Sequence, residues 1–100
     1  MKINKKTENG CIVLVFEGWL DVETTPELAK YMEGLEMSEN LVFDFGKLEY
    51  ISSSGVREVV SAYRRQKEAG GHFEIIHVND EIMDVFSMTG IDRKIKISGK

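Results

Sequence analysis

The chain has 100 residues, of which 42% are hydrophobic and 30% charged, a length and balance that suit one folded domain and exclude a disordered chain. Its formal net charge of -4 repels phosphate backbones, so nucleic-acid binding would need a local basic patch. No apolar run reaches the roughly 18 residues of a membrane span, and no apolar segment of signal-peptide type follows the basic start "MKINKKTENG".

From the N-terminus, "MKINKK" alternates weakly, as an edge strand does, and "ENG" supplies a turn. "CIVLVFEG" is too short for a helix and rich in β-branched residues, which predicts a buried strand. The single cysteine, Cys11, opens that strand. It has no partner for an internal disulfide and no metal-site neighbours, so it reads as a small apolar residue in a reducing cytoplasm. "WLDVETTPELAKYMEGL" starts as a loop and becomes a helix. Thr24 or Thr25 caps it, Pro26 sits in its first turn, and Leu28, Tyr31, Met32 and Leu35 share one face.

"NLVFDFGKLEYI" is a second apolar strand followed by a turn around Gly46 and Lys47. The clearest helix follows in "SSSGVREVVSAYRRQKEAGG". Val56, Val59, Val60 and Tyr63 take helical spacing, Arg57, Glu58, Ser61, Arg64 and Arg65 lie away from them, and Gly70 and Gly71 end the helix. The one basic cluster, Arg64, Arg65 and Lys67, is flanked by Glu58 and Glu68 and reads as a solvated helix face, so no nucleic-acid partner is expected. "HFEIIHV" is a third buried strand. Asn79 or Asp80 caps a short helix with Ile82, Val85 and Phe86 inside and Gly90 at its end. "KIKIS" is a final edge strand whose lysines discourage pairing with other chains. Strands alternating with helices predict an α/β domain with partly parallel pairing.

The corner "ISSSG" needs a cap for the central helix. With Ser52 as N-cap, the flanking hydrophobic pair is Ile51 and Val56; with Ser53 as N-cap, one partner becomes Ser52 and the pair fails. Ser52 therefore caps, and Ser53 becomes the first helical residue, its hydroxyl open to solvent at the positive end of the helix dipole. A phosphate there meets favourable electrostatics and adds about -1.5 to -2 charge without melting the helix. Gly55 is expected to leave this turn uncluttered, so that another molecule approaches its backbone.

"FEGWLD", "LVFDFGKLEYISSSGVREVV", "GGHFEIIHV" and "VFSMTGID" resemble, in order and spacing, the STAS domain of bacterial anti-sigma-factor antagonists. The resemblance covers essentially the whole chain, residues 1–100 as one domain. It implies a four- to five-stranded mixed sheet with about three to four helices packed on it. It also implies phosphorylation at Ser53, the residue two before the family glycine, here Gly55. The kinase is itself the anti-sigma factor, phosphorylation breaks its complex with the antagonist, and a serine phosphatase restores it. The implied partner-binding residues are Asp21, in the stretch matching the family's "G-x-L-D", with Ser52, Ser53, Ser54, Gly55 and Arg57. Many members carry aspartate where this chain has Ser52, so the cap here lacks a fixed negative charge.

Other classes fare worse. A nucleophilic serine needs a base and an orienting carboxylate. His72 and His77, the only histidines, stand five apart on one predicted strand and so face opposite sides of the sheet. Neither "G-x-S-x-G" nor "GxxxxGK" occurs. No catalytic residue, metal ligand set or cofactor is therefore expected. The same resemblance includes non-switching scaffolds of signalling assemblies and cytoplasmic domains of anion transporters; the absence of membrane spans removes the transporter. Trp19 and Leu20 beside Asp21 offer either an apolar contact surface or a core closure at the strand end.

Overall fold

The computed structural model describes residues 1–35 and 40–100. The elements follow the predicted order: β1 (Lys2–Glu8), β2 (Cys11–Leu20), α1 (Thr25–Glu33), β3 (Asn40–Ile51), α2 (Ser53–Glu68), β4 (His72–Val78), α3 (Asp80–Thr89) and β5 (Lys96–Gly99). A single 3-10 turn, Ile91–Arg93, precedes β5 and has no counterpart in the sequence reading.

The five strands form one mixed sheet in the order β1-β2-β3-β4-β5. β1 and β2 are an antiparallel hairpin, and the remaining pairs are parallel. Asn9 and Gly10 close the hairpin with φ of 46° and 79°, the two positive values that a tight turn matching strand twist requires. Ile12, Leu14 and Phe16 of β2 point to the same side as Leu41, Phe43 and Phe45 of β3. All three helices bury their apolar stripes there: Leu28 and Met32 from α1, Val56, Val59 and Ala62 from α2, Ile82 and Phe86 from α3. Phe16 centres the core, with ring centroids 4.9 Å from Phe43 and 5.1 Å from Phe45. Such tilted and edge-on pairs add about 0.5–1.5 kcal/mol each beyond the buried area.

Three element boundaries differ from expectation. β2 does not give way to a loop at Trp19 but runs on to Leu20, which is fully buried. β3 does not turn at Gly46 and Lys47. It continues to Ile51 through two bulges: β2 advances from Val15 to Leu20 while β3 advances from Asp44 to Ile51, two residues more. The buried residues Phe45, Leu48 and Ile51 consequently fall three apart, which breaks the period-two pattern that identifies a strand. β5 starts at Lys96, because Ile95 is already buried behind the 3-10 turn.

One member of the basic cluster is also corrected. Arg65 is half-buried, and its guanidinium donates to the carbonyls of Met32 and Leu35, at the C-terminal end of α1. Lys67 bonds the Tyr63 hydroxyl at 3.1 Å. Arg65 ties α2 to the end of α1, while Lys67, bonded within its own helix, is exposed with Arg64 on the helix face as expected. Gly70 and Gly71 end α2 as expected, their N–H groups returning to the carbonyls of Lys67 and Gln66.

Cys11 opens β2 half-buried, and burial followed by the charges of Glu74 and Glu8 pushes its thiol up. Since the thiolate is the reactive form, alkylation of the folded chain by iodoacetamide is expected to rise only at a higher pH than in the chain unfolded by urea. Coincident pH–rate profiles would contradict this.

Candidate functional site

Three chain segments meet at the start of α2: the end of β2, the end of β3 and the first helical turn. Ser52 has an extended backbone, φ -93° and ψ 173°, and its hydroxyl oxygen accepts the Gly55 N–H at 3.2 Å. It is the N-cap that the Ile51–Val56 pair predicted, and both of those residues are buried. The Ser52 N–H donates to the Leu20 carbonyl at 2.9 Å, which fastens the end of β3 to the end of β2.

Gly55 has a different role from the one expected. It is buried, and a Cβ on it would stand 2.7 Å from the Leu20 carbonyl oxygen and 2.8 Å from Ile51 Cγ1. The missing side chain makes room for the protein's own β2, not for an approaching molecule. Ser53 is the first residue of α2 and is exposed, while Ser54 is half-buried. No acidic residue lies in the first turn of α2, whereas α1 has Glu27 there and α3 has Asp80 and Glu81.

Arg57 is exposed and joins Ser52, Ser53 and Val56 in lining a shallow depression closed by Tyr50 from β3 and by Val85 and Thr89 from α3. Sequence reasoning missed the contributions of Tyr50 and α3. Tyr50 pairs in register with Trp19, their rings 5.5 Å apart. Trp19 is 56% exposed and Tyr50 47%, so the tryptophan is a surface group and only Leu20 closes the core. The signal available for this was parity: each aromatic directly precedes a core residue, Leu20 or Ile51.

Asp21 stands one peptide beyond the Leu20 carbonyl and organises the loop into α1. Its Oδ1 accepts the N–H groups of Glu23 and Thr24 at 3.0 and 3.1 Å. Thr24 is the N-cap residue, but its hydroxyl does not bond the helix. It accepts the Asp21 N–H and donates to the Trp19 carbonyl, each at 2.8 Å. The structure thus brings Ser52, Ser53 and Arg57 to one surface and joins Asp21 to it through Leu20.

The histidines are placed elsewhere. Within the described ladder of β4, His77 has φ +59° and sits inside a register shift, so alternation no longer fixes which side it faces relative to His72. Its Nδ1 lies 2.9 Å from Asp44 Oδ1, which also accepts the Gly46 N–H at 2.9 Å.

Comparison with known proteins places these features in a family. Residues 2–100 match the model of the STAS domain. The anti-sigma-B factor antagonist of Bacillus subtilis is 28% identical over 104 residues, spanning 100% of this chain and 94% of that protein. An anti-sigma factor antagonist from Mycobacterium paratuberculosis superposes with a TM-score of 0.89 at 19% identity, over 99% of this chain and 86% of its own. The Bacillus cell fate determinant SpoIIAA in its phosphorylated form gives a TM-score of 0.66 at 16% identity, over 99% of this chain and 93% of its own. At these identities the two solved structures speak for the fold.

The corner's geometry sets three stabilities. Gly55→Ala is expected to cost about 1–3 kcal/mol through overpacking, although alanine favours an exposed helix by up to about 1 kcal/mol. Ser52→Ala is expected to cost about 1 kcal/mol for the lost cap, and Ser54→Ala to stay within about 0.5 kcal/mol. Urea unfolding of the three variants checks the order.

Proposed function

The chain belongs to the STAS domain family, and from that premise we propose that it is an anti-sigma-factor antagonist, which binds an anti-sigma factor of the serine-kinase type and is switched off by phosphorylation at Ser53. It acts in the cytoplasm by binding rather than by catalysis, and a serine phosphatase returns it to the binding form. The observation that carries this reading is the division of labour among adjacent serines. Ser52 is occupied as the cap, while Ser53 stands exposed at the first helical position.

The electrostatics support a switch at that position. The N–H groups and dipole at a helix start favour an anion by about 0.3–1 kcal/mol when exposed. A first turn without acidic residues adds no repulsion of its own. A phosphate on Ser53 therefore leaves the helix intact while it changes the charge of the surface that also carries Arg57 and borders Asp21. The structural neighbour SpoIIAA is an anti-sigma factor antagonist solved in both its unphosphorylated and its phosphorylated form. Ser52 supplies the cap through a neutral hydroxyl, so the first turn of α2 carries no negative charge until the modification adds one.

The test incubates the chain with ATP and each serine-kinase anti-sigma factor of its own cell, then maps phosphate by mass spectrometry. A single phosphate on Ser53, lost in Ser53→Ala, is expected; labelling that survives in Ser53→Ala overturns the site. Ser53→Asp is expected to bind that kinase at least about tenfold more weakly than the wild type, a difference of about 1.4 kcal/mol. Equal binding would assign the chain instead to the non-switching scaffolds of signalling assemblies.

A further inference from the structure

Arg57 follows Ser53 by four residues on α2, about one turn of helix. Side chains at that spacing are neighbours, with Cβ atoms about 5–6 Å apart. A helical side chain also leans toward the N-terminus of its helix, onto the residues three and four before it. For Arg57 those residues are Ser54 and Ser53. Ser53 and Arg57 are both exposed, so neither is committed to the core.

Among the described residues Arg57 makes no ion pair and no hydrogen bond. The residues three and four positions away on either side are Ser53, Ser54, Val60 and Ser61, none of them acidic. Asp21 borders the corner, but its Oδ1 already accepts the N–H groups of Glu23 and Thr24. The depression that Ser53 and Arg57 share is otherwise lined by uncharged residues. Arg65 of the same helix differs, since its guanidinium holds the carbonyls of Met32 and Leu35. The sequence of α2 therefore sets a cation without a counter-ion one turn after the serine of the proposed switch.

We propose that Arg57 is the internal counter-ion of a phosphate on Ser53, its guanidinium reaching back one turn to hold the phosphate oxygens. The inference rests on the reading of Ser53 as the phosphate acceptor. A guanidinium matches a phosphate with two parallel N–H···O bonds, and an anion on the N-terminal side of the cation is the favourable order on a helix. Modification then removes a cation from this surface in the same step as it adds an anion. A partner meets an ion pair where the unmodified chain presents a guanidinium with no counter-ion.

Phosphoserine incorporated at Ser53 during synthesis of the full chain, by suppression of a stop codon, tests the pair without any kinase. Phosphorus NMR then follows the second ionisation of the phosphate against pH at about 0.1 M salt. A nearby cation favours the dianion, so the midpoint in the wild type is expected at least about 0.2 pH units below that in Arg57→Gln. The N–H groups and dipole of the helix start are the same in both chains, so the difference reads Arg57 alone. Arg57→Lys keeps the charge and is expected to retain at least about half of the difference. Arg64→Gln removes an exposed cation about 16 Å along the axis from Ser53 and is expected to move the midpoint by less than about 0.1 unit. Equal midpoints in the wild type and Arg57→Gln overturn the pairing. So does a rise in Arg64→Gln as large as that in Arg57→Gln, which would mark only the overall charge of the chain. Failure of the premise reads differently: the kinase then labels a residue other than Ser53, whatever the titration gives.

Discussion

The carbonyl oxygen of Leu20 holds two relations at once. It accepts the Ser52 N–H at 2.9 Å, and it occupies the space where any side chain on Gly55 would be. One atom thus joins the ends of two parallel strands to the start of the central helix. The axis of α2 follows from that point, and with it the delivery of Val56, Val59 and Ala62 to the core. The outward position of Ser53 follows from the same point, since it is the residue between the cap and the buried glycine turn. A bulkier residue at position 55 would lift the helix from the sheet and disturb core and corner together.

α2 is also held at its far end. Arg65 reaches the last carbonyls of α1, and the glycine pair closes the final turn. A helix fixed at both ends does not rotate or slide to accommodate a new group at its first residue. On the proposed reading this is what a switch of this kind needs, because the added charge alters the partner's view of the surface and leaves the core alone. The exposed aromatic pair of Trp19 and Tyr50 and the depression beside Arg57 lie on the same side of the corner, built from β2, β3 and α3.

Much of this was legible in the sequence, and what was not shares one cause. The element order, the Ser52 cap, the Asn79 cap and the glycine helix ends are local signals, each read within about five residues. The continuation of β3 was hidden because bulges set by a parallel neighbour replace period two with spacings of three. Gly55 reads as an opening unless Leu20, 35 positions earlier, is known to press against it. Arg65 reads as a solvated charge unless the end of α1 is known to lie within its reach. The exposed face of the corner was half visible: Asp21, Ser53 and Arg57 could be named from the resemblance, while Tyr50 and Val85 required the fold to bring β3 and α3 together.

The two surplus residues of β3 carry a consequence for how this chain varies over evolutionary time. Between Asp44 and Ile51 the strand is measured out so that its end arrives level with Leu20. Replacing a solvent-facing residue in that interval leaves the measure unchanged. Removing or adding one would turn every later side chain to the opposite side, exchanging Leu48 and Ile51 with their exposed neighbours. Drift at the solvent-facing positions of this segment is therefore free in spelling while the segment is fixed in count, and a lineage that lost one residue here would have to lose the serine corner with it.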